Sequence, residues 1–302
     1  MLRVDDLSKS FGPIKAVERV SFTLAPGSIT ILAGADGAGK STILKMILGL
    51  IRKDSGEIYI NNEPVGRKFN RITNISGYMP ERFSLYTDLS VEENLNFYSD
   101  IHRVPKHKRE EMKQRLLEKT GMLPFRKRKA GALSGGMKQK LALSAILLAF
   151  PRIIMLDEPT TGVDPLSRIE FFNIIEELKQ EGKTIIMATP YLDEAEKGDQ
   201  IIFIKEGKIL RKGAIAELKK RFPAKLFRIL PEGNILEVMK NLQADPEIKD
   251  DIYVRGRFIK YMQRERPELI HRIPTRKIQE EPPTLEDIFL YYERRGHDGE
   301  QI

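Results

Sequence analysis

Short apolar runs separated by turns open the chain, a pattern typical of β-strands. The runs cover residues 2–7, 17–24, 29–33 and 56–60. After the third run, apolar residues recur at helical spacing from Ser41 to Ile51, and this spacing predicts a helix. A glycine-rich stretch lies between that strand and that helix. This order of elements is the one that a phosphate-binding loop requires.

The middle of the chain, residues 91–148, is charged and mostly helical in pattern. The predicted helices cover residues 92–100, 106–119 and 137–148. Together with the segment before them, they predict a helical subdomain over about 82–150 that is inserted into the domain.

Continuous apolar runs return after this insertion, at residues 153–156 and 184–188. Such runs are typical of parallel strands buried on both faces, and a helix over 165–180 is predicted between them. A hairpin over residues 201–211 follows, with its turn at Gly207. The alternation of strands and helices indicates an α/β fold.

Pro223 marks the predicted boundary of a second, smaller part of the chain. Its apolar runs cover residues 224–230, 235–242, 252–262 and 285–293. A length of 302 residues fits one large domain and one small appendage better than two large domains. We therefore expect a main domain over 1–221 and a C-terminal α+β accessory domain over 222–302.

The composition is that of a globular protein, with 41% hydrophobic and 31% charged residues. No stretch reaches the roughly 18 uninterrupted apolar residues that a spanning helix needs. The first residues lack the apolar run of a secretion signal. We therefore expect a cytoplasmic protein.

The net charge of +8 permits nucleic acid or anionic lipid as a partner but selects neither. The basic run Arg126–Lys129 contains no interleaved aromatic residues for base stacking, so a solvated surface is the favoured interpretation. We expect no nucleic-acid partner.

The segment Gly34–Ser41 matches the phosphate-loop pattern G-x-x-x-x-G-K-[ST]. Its glycines let backbone N–H groups turn toward the phosphates, Lys40 neutralises phosphate charge, and the Ser41 hydroxyl can ligate Mg²⁺. The predicted ATP contacts are Gly34, Ala35, Asp36, Gly37, Ala38, Gly39, Lys40, Ser41 and Thr42. A chance glycine turn is disfavoured, because the match lies between a predicted strand and a predicted helix.

Two adjacent acidic residues, Asp157 and Glu158, follow the buried run 153–156. They would lie at the carboxyl end of a strand, the edge where α/β sheets bind ligands. Asp157 can hold Mg²⁺ through water while Glu158 polarises the attacking water, the division of roles that phosphoryl transfer to water needs. We therefore expect ATP and Mg²⁺ as cofactors, with Glu158 and Lys40 as catalytic residues.

Further metal sites are not expected. The chain has no cysteine, which excludes disulfides and thiolate ligands. Its four histidines, at positions 102, 107, 271 and 297, do not occur at ligand spacing.

Two further motifs occur in the order found in the ABC transporter ATPase family: Leu133–Lys140 (LSGGMKQK) and Asp157–Pro165 (DEPTTGVDP). The chain resembles this family over residues 1 to about 221. They correspond to the family's signature motif and to its Walker B motif and D-loop. The resemblance implies a P-loop NTPase fold of the ABC ATPase type. Such a fold has a mixed sheet core, an antiparallel β subdomain and a helical subdomain.

The resemblance also implies roles for residues outside the phosphate loop. In the family two ATPase domains pair head to tail, so a second ABC ATPase domain is an expected partner. The signature residues that would contact the partner-bound ATP are Ser134, Gly135, Gly136 and Met137. Phe11 occupies the position of an aromatic residue that stacks on adenine, and Asp164 is the D-loop aspartate.

Several positions depart from the family's pattern. Glu81, a further predicted ATP contact that could still ligate Mg²⁺, stands where glutamine is usual. Pro190 stands where histidine is usual, while Asp36 and Met137 are milder changes. Proline offers neither a polar side chain nor a backbone N–H. Loss of a positioned polar partner typically costs about 10²- to 10⁴-fold in rate. We therefore expect a degenerate site that binds ATP but hydrolyses it slowly, with the signature residues completing a competent site on a different partner domain.

Three short motifs, GADGAGK, YMPERF and ATPY, and the tail segment Pro282–Phe289 resemble the N-terminal ATPase half of YbhF-like ABC-2-type exporters. This resemblance implies ABC-2-type membrane permease subunits as partners and a location at the inner face of the cell membrane. An ATP-gated regulatory or binding module with negligible hydrolysis remains the alternative. A comparison of nucleotide affinity with turnover separates the two.

Overall fold

The computed structural model describes residues 2–66, 69–82, 85–264 and 267–295. The chain divides into two compact units, Met1–Lys212 and Gly213–Ile302. Within the described ranges no helix is both long and apolar enough to cross a membrane. Phe83, part of the exporter-like motif, and His297 lie outside these ranges.

Most of the strands and helices lie in the first unit, and the others lie in the second. The strands are β1 (Leu2–Phe11), β2 (Ile14–Leu24), β3 (Ile29–Ala33), β4 (Ser55–Ile60), β5 (Glu63–Pro64), β6 (Ser76–Met79), β7 (Ile153–Asp157), β8 (Thr184–Thr189), β9 (Gln200–Lys205), β10 (Lys208–Ala214), β11 (Lys225–Pro231), β12 (Ile252–Arg255), β13 (Phe258–Gln263) and β14 (Thr275–Glu281). The helices are α1 (Lys40–Ile47), α2 (Asn70–Thr73), α3 (Val91–Ile101), α4 (Lys106–Lys119), α5 (Gly135–Leu147), α6 (Pro165–Gln180), α7 (Leu192–Ala195), α8 (Ile215–Lys220), α9 (Ile235–Gln243) and α10 (Leu285–Arg295).

The core sheet of the first unit has the order β10-β9-β3-β8-β7-β6. Strand β3 runs parallel to β8 and β9, and β7 runs parallel to β6 and β8. Every residue of β3, β7 and β8 is buried, as expected for strands covered on both faces. The carboxyl ends of β3, β6, β7 and β8 therefore meet at one edge of the sheet.

A second sheet, with the order β2-β1-β4-β5, is antiparallel. Helices α3, α4 and α5 form a separate helical block whose apolar centre includes Leu95, Leu117 and Leu141. A mixed core sheet, an antiparallel sheet and a helical block make up the expected fold class, which is confirmed.

Helix α1 is shorter than predicted. The spacing predicts a helix to Ile51, but α1 ends at Ile47. Gly49 adopts a φ of 72°, and Leu50 N donates to Lys45 O over 2.9 Å, which closes the helix in a Schellman motif. A β-carbon at Gly49 would lie 2.3 Å from the ring of Phe69, so this glycine also permits close packing.

The second unit is a four-stranded antiparallel sheet with the order β12-β13-β11-β14. The single apolar run predicted over 252–262 is two strands, because Gly256, with a φ of 59°, lies in a turn between β12 and β13. Helix α9 packs Val238, Met239 and Leu242 against this sheet. The edge strand β14 was not predicted.

Candidate functional site

The phosphate loop joins β3 to α1, and two of its glycines have no room for a side chain. A β-carbon at Gly34 would lie 2.2 Å from Ile204 O, and one at Gly39 would lie 2.4 Å from Ala16 O. Gly39 also has a φ of 105°, which side chains disfavour. The backbone of Ala38 accepts a hydrogen bond from Gly207 N over 3.0 Å. Neighbouring strands therefore hold the loop in its curved shape.

Lys40 is 3% exposed, and its ammonium lies inside the loop. Its Nζ donates to Gly34 O over 2.8 Å and to Ala35 O over 3.0 Å. The same Nζ lies 3.3 Å from Glu158 Oε1, while the largely exposed Asp36 carboxylate is 3.9 Å away. The structure thus brings together the two residues that the sequence predicts to be catalytic.

Asp157 ends β7, and hydroxyl groups from two other elements hold its buried carboxylate. Ser41 Oγ, in the first turn of α1, donates to Asp157 Oδ1 over 2.7 Å. Tyr78 Oη, from β6, donates to Asp157 Oδ2 over 3.0 Å. Burial, together with the charge of Asp157, raises the pKa of Tyr78, so the phenol stays protonated and acts as the donor. The sequence predicts Ser41 and Asp157 as ligands of one Mg²⁺ ion, whereas it gives no indication of the contact from Tyr78.

Glu158 directly follows β7 in an uncommon backbone conformation, with a φ of 50°. Its N–H donates to Ala188 O over 2.9 Å, which ties this turn to the neighbouring strand β8. The side chain points toward Lys40, and its second oxygen accepts a hydrogen bond from Thr161 Oγ1 over 3.4 Å. The strained turn therefore directs this carboxylate to the phosphate loop.

Both main departures from the family's pattern lie at the carboxyl ends of core strands. Pro190 follows the last residue of β8, Thr189, whose carbonyl accepts a hydrogen bond from Gly34 N over 3.4 Å. Glu81 is exposed and follows β6 by two residues. Its charge contributes to the raised pKa of Tyr78. The two residues therefore border the site from the strands that flank β3 and β7.

A buried carboxylate that the sequence analysis missed, Glu194, joins three segments behind the site. It is 2% exposed and accepts hydrogen bonds from the hydroxyls of Thr160 and Thr189. Arg168 Nε, on α6, lies 3.2 Å from Glu194 Oε1. Burial raises the pKa of Glu194, and the hydroxyl donors and Arg168 oppose that shift. Glu194 therefore connects the loop after Glu158, the end of β8 and helix α6.

The signature and D-loop residues lie at two helix N-termini that pack together. Ser134 caps α5 by accepting a hydrogen bond from Met137 N over 3.3 Å. Asp164 caps α6 by accepting one from Ser167 N over 2.9 Å, and this bond lowers the pKa of Asp164. A β-carbon at Gly136 would lie 2.3 Å from Ser167 Cβ, so a glycine is needed where the helices meet.

Some of the predicted contact residues are open to solvent. Ser134 and Gly135 are exposed. Phe11 is 48% exposed at the end of β1, where Lys9 Nζ lies 5.3 Å from its ring centre. Thr42, in the first turn of α1, is half-buried. The exposed ring and the exposed helix N-terminus are therefore accessible to a ligand or to a partner.

These contacts join a phosphate loop to two strand-end carboxylates, an arrangement that defines a P-loop nucleotide-binding protein. Residues 17–161 match the ABC transporter family. The chain belongs to this family and carries its ATP-binding cassette, as the sequence predicts.

Relatives and solved structures agree with this assignment. The chain is 38% identical to "Probable multidrug ABC transporter ATP-binding protein YbhF" of Escherichia coli over 91% of its own length and 48% of that protein, so it spans about half of that relative. It is 33% identical to "Nod factor export ATP-binding protein I" of Rhizobium sp. (strain N33) over 94% of each protein. A dimeric ATP-binding cassette in a post-hydrolysis state, bound to ADP and Pi, matches with a TM-score of 0.63 and 26% identity over 71% of this chain and 98% of the other.

Proposed function

We propose that the chain is the ATP-binding subunit of an ABC-type exporter and couples ATP binding and hydrolysis to transport through separate membrane subunits. One observation carries this proposal. Lys40 and Ser41 of the phosphate loop converge with Asp157 and Glu158 at one edge of the core sheet. Three groups for phosphate and metal, and one for the attacking water, would thus be within reach of one ligand.

The oxygen donors of Ser41 and Asp157 fit Mg²⁺, which prefers hard oxygen ligands. Among the described residues there is no cluster of three or more His, Cys, Asp or Glu that could hold a metal. Two oxygen ligands such as Ser41 and Asp157 suit Mg²⁺, since the ion keeps several waters and is bound by one or two protein ligands together with nucleotide phosphates. When bound, Mg²⁺ would neutralise charge that develops on the phosphates.

Hydrolysis at this site would begin with an exchange of partners for Lys40. Its ammonium now contacts two loop carbonyls and Glu158. A triphosphate offers stronger, charge-assisted acceptors, so Lys40 would turn to the phosphates and release the Glu158 carboxylate. Glu158 could then accept the proton of the attacking water.

The geometry supports ATP binding more strongly than rapid turnover. Pro190 lies beside the phosphate loop but has no side-chain donor, and Glu81 brings a negative charge to the same edge. We therefore infer that this chain's own site is degenerate. Its exposed signature residues, Ser134 and Gly135, would complete a competent site on a heterologous ABC ATPase domain.

The direction of transport is inferred from the relatives, and the ABC-2-type permease partners are inferred from the exporter-like motifs of the sequence. One of the relatives is described as a multidrug transporter protein and the other as an export protein. The subunit would then act at the inner face of the cell membrane. The unit Met1–Lys212, which holds every proposed site residue, would supply the ATPase domain.

Purification of the tagged chain from membranes solubilised in detergent, with MgATP and with EDTA, tests this function. We expect the MgATP sample to retain a multi-span membrane protein and a second cassette that has glutamine and histidine where this chain has Glu81 and Pro190. Recovery of the chain without any membrane subunit in both samples would contradict the exporter proposal.

An ATP-gated binding module is a second candidate, favoured by Pro190 and Glu81 together. Such a module would bind MgATP tightly but show no hydrolysis that depends on this chain, even in the copurified complex. Turnover of that complex, measured with Lys40→Ala and with wild-type chain, separates the two functions.

A further inference from the structure

Tyr78 lies on a strand that also leads to one of the unusual positions of the site. In the parallel pairing of β6 with β7, Tyr78 is opposite Met155 and Met79 is opposite Leu156. The half-buried phenol reaches along the strand to Asp157, the last residue of β7, and Glu81 follows three residues later in the chain. Tyr78 therefore connects the segment that carries Glu81 with the carboxylate at the centre of the site.

The two hydroxyls that contact Asp157 divide its carboxylate between them. Ser41 Oγ lies 2.7 Å from Oδ1 and Tyr78 Oη lies 3.0 Å from Oδ2. Asp157 is only 2% exposed, so bulk water cannot readily replace either donor. With both oxygens bound, the carboxylate plane is fixed. With Ser41 alone, the carboxylate could rotate about its terminal torsion, which is intrinsically broad.

We propose that Tyr78 is a positioning residue for the magnesium site and holds the Asp157 carboxylate in the orientation in which it serves Mg²⁺ beside Ser41. This inference rests on the proposed MgATP binding. Groups that hydrogen-bond to a metal's carboxylate orient it, and their removal typically weakens metal binding by about 10- to 100-fold. Because Asp157 acts through water in the proposed site, the expected effect is near the lower end of that range.

A purely structural role for the hydroxyl makes a different prediction. The Tyr78 ring packs against the main apolar cluster of the first unit, and Tyr78→Phe keeps that ring. If the hydroxyl only stabilised the fold, its loss would lower the melting temperature and leave the magnesium requirement unchanged. A positioning role instead shifts the magnesium requirement of ATP binding and leaves ATP binding without metal intact.

The experiment is a titration of labelled ATP binding against free Mg²⁺ for the full chain and for Tyr78→Phe, with a parallel series in EDTA. Tyr59→Phe is the matched control, because Tyr59 lies in the antiparallel sheet with its ring beneath the Arg3 guanidinium. We expect the half-saturating Mg²⁺ concentration to rise about tenfold for Tyr78→Phe alone. Affinity in EDTA and affinity at saturating Mg²⁺ should match the wild type.

Two results would overturn the inference. One is a Tyr78→Phe variant with the wild-type Mg²⁺ dependence, and the other is an equal loss of affinity with and without Mg²⁺. A failure of the proposed MgATP binding would give a different result from either of these, because the wild-type chain itself would then bind no ATP.

Discussion

The ammonium of Lys40 lies 3.3 Å from Glu158 Oε1, although 118 positions separate the two residues in the chain. The cation proposed to bind phosphate and the carboxylate proposed as general base therefore neutralise each other beside the phosphate loop. Both side chains are largely buried, at 3% and 14% exposure, so the pair is poorly screened by solvent. A triphosphate must separate them before either can take up its proposed role.

This pairing predicts that binding and hydrolysis respond differently to Glu158→Gln. The amide keeps the shape of the side chain but cannot accept a proton, so hydrolysis by the assembled complex should fall about 10²- to 10⁴-fold if this site turns over. ATP affinity should stay the same or increase, because Lys40 loses its competing carboxylate. Equilibrium ATP binding and single-turnover phosphate release measure the two effects. A large loss of affinity would show that Glu158 supports binding instead.

The degenerate-site hypothesis predicts a gain of function from Glu81→Gln combined with Pro190→His. Together they remove one negative charge from the site and add an imidazole directly after Thr189, whose carbonyl accepts a hydrogen bond from Gly34 N of the phosphate loop. Turnover by the assembled complex should rise by at least about tenfold, within the range for a restored polar partner. The same double change in a Glu158→Gln background is the control, and it should bring no gain. If the double variant is no faster than the wild type, the slow step lies elsewhere.

Glu194 should contribute to stability as well as to the shape of the site. Glu194→Ala leaves the hydroxyls of Thr160 and Thr189 without their buried acceptor and removes the buried carboxylate that pairs with Arg168. Breaking a buried charged network of this kind costs roughly 3 kcal/mol of unfolding free energy. Urea denaturation measures the change.

The neighbouring Asp193→Ala is the matched control for this experiment. Asp193 also pairs with Arg168, over 3.6 Å, but its side chain is 75% exposed. An exposed pair contributes about 1 kcal/mol or less. Equal losses for the two variants would contradict the role assigned to Glu194.

The elements that the sequence predicts best are those in which one regular pattern of apolar residues continues along the whole element. Helices 106–119 and 165–180 have their predicted bounds, and the buried runs 153–156 and 184–188 lie within β7 and β8. Local chemistry overrode the period in α1, where Gly49 closes the helix before the apolar spacing ends. The edge strand β14 was missed because its mostly exposed residues carry no regular apolar alternation.

The residues of the site likewise divide into those that a local sequence pattern predicts and those that it does not. The phosphate loop and the strand-end acids could be predicted, because each is a continuous motif with a fixed chemical role. Tyr78 and Glu194 could not, since their roles depend on contacts with residues distant in sequence or on burial behind the site. The local hint for Tyr78 is its position in a short apolar segment three residues before Glu81.

The most direct test of the account is the affinity of the purified chain for MgATP, compared between wild type and Lys40→Ala by isothermal titration. Lys45→Ala, on the same helix α1, controls for the loss of a positive charge. The account predicts saturable binding by the wild type and by Lys45→Ala, and a loss of about tenfold or more for Lys40→Ala, because a buried ammonium no longer meets the phosphates. Equal affinity of Lys40→Ala and wild type, or no binding by any of the three, would contradict it.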